Sequence, residues 1–186
     1  MSGRDEIFIS EFTERGALCY IFMCIERYLK ALYYDCELIP IARIMWQYEN
    51  QWWDEENDDR SLFKLIPSYI MQFDSYDKAC FDNNSWKLSF QAYTAVNSIY
   101  SKSTAKNAAE ELERIFHIPL LFLGIETESS EDEMNSKYIK EIEEILFKKN
   151  NIPLPEKEKL KPFKYEERWK YLRKKDTALL SDILNH

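Results

Sequence analysis

The chain has 186 residues, 45% hydrophobic and 15% aromatic, which argues against disorder and allows one domain with a substantial core. Only three glycines occur, so tight hairpins and many-turned β-folds are disfavoured and helices favoured. The formal charge of −8 is uneven: Lys148–Lys175 carries eleven Lys and Arg against four Glu, a net +7, and the remainder therefore carries −15. An acidic body disfavours general nucleic-acid binding, because phosphate contact needs a clustered positive surface.

The expected architecture is all-α: an irregular compact helical bundle of about six to eight helices. Residues 1–186 are read as a single helical domain, with 148–186 a basic C-terminal helical segment packed on it. In chain order, Ser10 or Thr13 caps a long helix over about 14–33. Leu18, Ile21, Phe22, Ile25, Leu29 and Leu32 form its apolar stripe at spacings of three and four. Cys19 and Cys24 flank that stripe, and the helix reads as core scaffold.

Residues 39–60 form the most distinctive stretch. Pro40 suits a first helical turn. Ile41, Ile44, Met45, Tyr48 and Trp52 then mark one apolar face. Beyond Trp53 lie Asp54, Glu55, Glu56, Asp58 and Asp59, a run of like charge that is read as solvated and ends the helix. One reading is a core helix followed by a polar surface loop. The other is a contact surface, with aromatic anchors beside a negative field that steers a basic partner.

Ser61 caps a short helix through Leu62, Phe63, Leu65 and Ile66, which Pro67 kinks or restarts. Residues 74–84 read as turns, with Cys80 and Phe81 buried. The stretch from Trp86 to Ile99 fits a helix better than a strand, capped at Asn84–Ser85. Ser103 or Thr104 then begins another helix, with Ala108, Leu112, Ile115 and Phe116 inward and Glu110, Glu111 and Glu113 outward. Pro119 is expected to end it after His117, leaving Pro119–Gly124 as a buried connection, with a short strand as the alternative. A second acidic run, 126–133, starts a helix with Tyr138, Ile142, Ile145 and Leu146 on one face. Asn150–Asn151–Ile152–Pro153 stops that helix, 153–164 connects, and two short helices follow around 165–174 and 177–184.

The chemistry points away from catalysis. Of two histidines, His186 is terminal and His117 is read as capping a helix C-terminus, with Glu113 four residues earlier. The cysteines form no C-x-x-C pair, no glycine-rich phosphate loop or G-x-S-x-G elbow occurs, and the acidic run lacks a calcium loop's glycine. The expectations are no catalytic, metal or cofactor site, no membrane span, no signal peptide, and a cytoplasmic protein with reduced thiols. Phe163, Lys164, Tyr165, Arg168, Trp169, Lys170 and Tyr171 interleave bases and rings. A packed C-terminal helix is preferred there over a nucleic-acid surface, and an intramolecular contact with the acidic body also fits.

With its cluster of Trp46, Trp52 and Trp53, the adjoining acids and the missing catalytic groups, the chain resembles the helical immunity proteins of bacterial polymorphic and contact-dependent toxin systems. That resemblance implies a non-enzymatic protein that binds and neutralises one cognate toxin domain, a basic one such as a nuclease. The contact residues would be Trp52, Trp53, Asp54, Glu55, Glu56, Asp58 and Asp59. The basic segment departs from a uniformly acidic inhibitor and leaves the location of the interface open. A helical adaptor or regulator and a metal-dependent helical enzyme are the alternatives, and oligomeric state stays undetermined.

Overall fold

The helix expected over 14–33 forms as Glu14–Leu32 (α1), and the neighbouring elements wrap around it. The computed structural model describes residues 14–51, 61–73, 75–77, 89–124, 131–163 and 179–185. Among the described residues the further helices are α2 (Ile39–Gln51), α3 (Pro67–Met71), α4 (Phe90–Ala105), α5 (Ala109–Phe122) and α6 (Glu131–Glu143). A wider π turn, Glu144–Lys149, extends α6, and 3₁₀ turns span Ser61–Leu65 and Lys157–Phe163. Among the described residues there is no strand, and the fold is all-α.

Burial on α1 is wider than the six-residue stripe implies. Every residue from Arg15 to Glu26 is buried, including Gly16, Cys19, Tyr20 and Cys24. A helix that is apolar nearly all round belongs inside, and α2, α5, α6 and the Lys157–Phe163 turn all pack on it. Of the stripe, Leu18, Ile21, Phe22, Ile25 and Leu29 are fully buried, whereas Leu32 is only partly so. On α2, Ile41, Met45 and Tyr48 face the core as expected and Ile44 is half-buried.

Full enclosure leaves polar α1 side chains with no water to bond, so protein groups must serve. Arg15 reaches Glu49 of α2 through both its Nε and Nη2, and both residues are buried. Tyr28 donates to Glu111 of α5 at 3.0 Å, and Tyr33, just past the helix, bonds Ser103 of α4 at 2.7 Å.

The helix ends are set by backbone chemistry. Ser89 caps α4 by accepting from the Ala92 N–H at 3.1 Å. The proposed cap at 84–85 lies outside the described residues, as do those at Ser10 and Thr13. Ser103 and Thr104 do not start a helix. They lie in the last turn of α4, their hydroxyls bonding back to the Ile99 and Tyr100 carbonyls. Asn107 follows at φ 55°, and the Asn107 and Ala108 N–H groups return to Thr104 and Ser103, closing the helix with a left-handed cap. Ser and Thr can bond backwards as readily as they cap forwards, which is why the sequence misplaces this boundary.

Proline does not end α5. Pro119 lies inside it, and the helix runs on to Phe122 before Gly124 at φ 68° turns the chain. Ile118, Pro119, Leu120 and Phe122 are buried. Their burial offsets a proline penalty of about 3 kcal/mol, since each large apolar side chain contributes about 1.5–3 kcal/mol. The expected connection is therefore buried, but helical through Phe122.

The C-terminal helix expected over 177–184 is replaced, in its described part 179–185, by turns. Their N–H groups bond side chains instead of continuing a helix: Asp182 and Ile183 donate to Glu26, and Leu184 donates to Ser181 Oγ. The helix expected at 165–174 and the turns assigned to 78–84 lie outside the described residues.

Replacing Arg15 by Met strands the Glu49 carboxylate and should cost about 3–5 kcal/mol by urea denaturation. Adding Glu49→Leu should return most of that loss. A double variant no more stable than Arg15→Met would contradict the pairing.

Candidate interaction surface

The seven residues expected to contact a partner, Trp52, Trp53, Asp54, Glu55, Glu56, Asp58 and Asp59, lie outside the described residues. Helix α2 delivers the chain to them, ending at Gln51. The third tryptophan of that cluster, Trp46, belongs to the core. It is 2% exposed, meets Phe22 edge-on at 5.7 Å, and donates its indole N–H to Glu26 at 2.8 Å.

Charged side chains of both signs gather between α5 and α6. A cleft of about 350 Å³ opens there, lined by Glu110, Glu111, Arg114, Glu141, Glu144 and Lys149 among others. Arg114 bridges it with a two-pronged bond to Glu141, at 2.5 and 2.8 Å. Glu111 faces inward, accepting from Tyr28 and from the Asn150 amide at 2.8 Å. Glu110 stays exposed. The expectation that Glu110, Glu111 and Glu113 all point outward therefore holds only for the first.

His117 is not at a helix terminus, because α5 continues past it. Its Nδ1 donates to the Glu113 carbonyl at 2.8 Å and stands 3.9 Å from the Glu113 carboxylate, so the two share a face as the spacing implied. Ser68 of α3 completes the group: its hydroxyl donates to the same carboxylate, and its N–H donates to the other oxygen at 3.1 Å. Here the carboxylate lies between hydroxyl and imidazole. In an activated nucleophile the imidazole holds the hydroxyl and the carboxylate orients the imidazole, so this order locks α3 to α5 instead. Sequence separation concealed Ser68 as a partner.

The C-terminal part of the chain seats on α1 and α6 through charge. Lys157 lies 3.0 Å from Glu143, with both side chains mostly buried, and its ammonium stands 5.3 Å from the centre of the Tyr20 ring. Tyr20 donates to the same Glu143 at 2.7 Å. Arg27 donates to the Pro153 and Leu154 carbonyls at 3.2 and 3.1 Å and reaches Asp182 at 3.8 Å. Glu26 gathers four donors: Trp46 Nε1, Ser181 Oγ at 2.5 Å, and the N–H groups of Asp182 at 2.7 Å and Ile183 at 3.4 Å. Lys157 is thus one basic side chain of the C-terminal part that meets a carboxylate of α6, while residues 164–178 lie outside the described residues.

Burial dominates the ionisation of these groups. It pushes the Glu26 carboxyl above its ordinary range, while the donors around it pull the other way. It also raises Tyr20 and Cys24, each pushed further by Glu143, and it raises Cys19 with help from Glu49. Neither buried thiol is therefore a ready thiolate. Among the described residues no group of three or more His, Cys, Asp or Glu side chains is placed to hold a metal, and no helix is long and apolar enough to cross a membrane.

Comparison with protein-family models, with curated proteins and with solved structures finds no match.

Because the folded Glu26 carboxyl titrates above its unfolded value, its contribution to stability is full below about pH 4.5 and is lost as pH rises through the raised value. The stability difference between wild type and Glu26→Gln, read from urea midpoints between pH 4 and 8, should therefore shift against the wild type as pH rises. A difference flat in pH would contradict it.

Proposed function

We propose that this chain is a non-enzymatic binding protein of the immunity-protein type, which neutralises a cognate basic toxin domain such as a nuclease. The observation that carries this reading is the segregation of charge. Outside Lys148–Lys175 the chain bears a net −15 in a −8 whole, and a field of that sign speeds the approach of a basic partner. The cleft between α5 and α6, lined by four Glu against Arg114 and Lys149, adds a net −2 to that field. The run Asp54, Glu55, Glu56, Asp58 and Asp59, beside Trp52 and Trp53, supplies its densest stretch and the aromatic anchors that carry affinity at interfaces.

The buried polar chemistry supports the same reading. Glu26, Glu49, Glu111, Glu113 and Glu143 each hold a structural partner. The carboxylates left facing solvent, such as Glu110, are suited to long-range attraction of a partner.

The test begins with affinity capture from the host's lysate at low and high salt, with a nuclease-treated control. One stoichiometric basic protein, released by salt and made harmless in cells that co-express this chain, is the expected result. With that partner in hand, replacing Asp54, Glu55, Glu56, Asp58 and Asp59 by Ser or Asn should slow association about tenfold or more and flatten its salt dependence. Unchanged salt dependence would remove the steering role from those acids. A partner that proves to be nucleic acid would overturn the reading.

A further inference from the structure

The place where Lys157 sits has the chemistry of a lysine-binding site. Its floor is the Tyr20 ring, almost wholly buried, its wall is the Glu143 carboxylate, and the Tyr20 hydroxyl holds that carboxylate in position at 2.7 Å. A ring face and a carboxylate converging on one ammonium provide cation–π and ionic attraction together, and the partial burial of Lys157 and Glu143 strengthens both. The occupant comes from the chain itself, on a 3₁₀ turn that follows an irregular stretch, 151–156, with no helical hydrogen-bond ladder of its own.

The pieces on either side of Lys157 are fastened by polar contacts together with apolar side chains set into the core. Arg27 of α1 grips the Pro153 and Leu154 carbonyls, and Glu26 grips the turn at 181–183. Lys159 and Arg27 both approach Asp182 at 3.8 Å. The apolar pegs are Ile152, Leu160, Leu180 and Ile183, with Leu154 and Leu184 packed beside them. Glu26 lies six positions beyond Tyr20, about 120° round the helix, so the two pieces strap α1 across about a third of its circumference. Segments of turns and irregular backbone, with no helical ladder of their own, open at lower free energy than a helix enclosed on all sides.

We propose that residues 152–163 and 179–185 are an autoinhibitory strap, in which Lys157 fills in cis a Tyr20–Glu143 site that takes a lysine side chain of a basic partner protein in trans. The inference rests on the reading of the chain as a binder of basic proteins and names one site for that contact. It also supplies a reason for a basic segment on an acidic inhibitor: the segment competes with the partner, so only a partner with several matching contacts displaces it. Displacement gives specificity at some cost in affinity, because opening the strap draws on the energy of binding.

The probe is heptalysine, added at low salt to the full chain. Replacing Lys157 by Met keeps the bulk of the side chain and removes the charge, leaving Tyr20 and Glu143 in place. This variant should bind heptalysine about tenfold or more tightly than wild type, and adding Glu143→Gln should abolish the gain. In the wild type, saturating heptalysine should speed hydrogen exchange of the amides of 157–160 and 182–184 while those of Leu18–Leu29 stay protected. That second measurement does not depend on how any variant folds. Equal heptalysine affinity in wild type and Lys157→Met, a gain that persists in Lys157→Met/Glu143→Gln, or strap amides that exchange no faster than those of α1 would each overturn the proposal. Those failures leave the inhibitor reading standing, since that reading falls only if the captured partner is not a basic protein.

Discussion

The constraint on which the structure depends is the enclosure of α1. Once a helix is buried from Arg15 to Glu26, each polar side chain it carries must find a protein partner. Arg15 finds Glu49 on α2, Tyr20 finds Glu143 on α6, Tyr28 finds Glu111 on α5, and Glu26 finds Trp46 together with the 181–183 turn. Tyr33, at the exit, finds Ser103 on α4. Apolar burial supplies most of the stabilisation, because each hydrogen bond nets only about 1 kcal/mol after its exchange with water. The bonds serve to reject alternatives. A neighbour that slid or rotated on α1 would strand a buried carboxylate or hydroxyl, so five polar contacts fix how four helices and one terminal turn sit around one axis.

Periodicity showed the sequence's helical character and most of its core. The faces formed by Ile41, Met45 and Tyr48, by Ala92, Ala95, Val96 and Ile99, and by Tyr138, Ile142, Ile145 and Leu146 are all buried, because spacing reports packing directly. Boundaries were less legible. Pro119 has the local chemistry of a terminator, yet the apolar turn after it is worth more buried in a helix than released from one. Ser103 and Thr104 have the chemistry of caps and bond backwards instead. Both local preferences lost to tertiary packing, which no window of neighbouring residues records.

The candidate surface was legible only in part. Aromatic and acidic density at 46–59 marked that stretch, but composition could not show that Trp46 packs on Phe22 inside, and 52–59 lie outside the described residues. The partners of Glu26, Glu113 and Tyr20 are Ser181, Ser68 and Glu143, each remote in sequence. No spacing rule joins such pairs. Of the basic segment with its net +7, Lys157 meets Glu143 of α6, and 164–175 lies outside the described residues.

The π turn at the end of α6 sets the phase of the described stretch that follows it, 150–163. Through Glu144–Lys149 the ladder is one residue wider than in an α-helix, and it closes with Asn151 at φ 54° and the Ile152 N–H on the Leu146 carbonyl. Ile145 and Leu146 thereby face inward together, and the Asn150 amide meets both Glu111 and the Ile145 carbonyl. Removing one residue there would yield a more regular helix and a worse protein. Each downstream position would turn by about 100°, carrying Asn150 off Glu111 and swinging Lys157 away from Tyr20. The extra residue is thus a phase setting: it fixes the angle at which the stretch 150–163 meets α1, at the expense of a locally poorer helix.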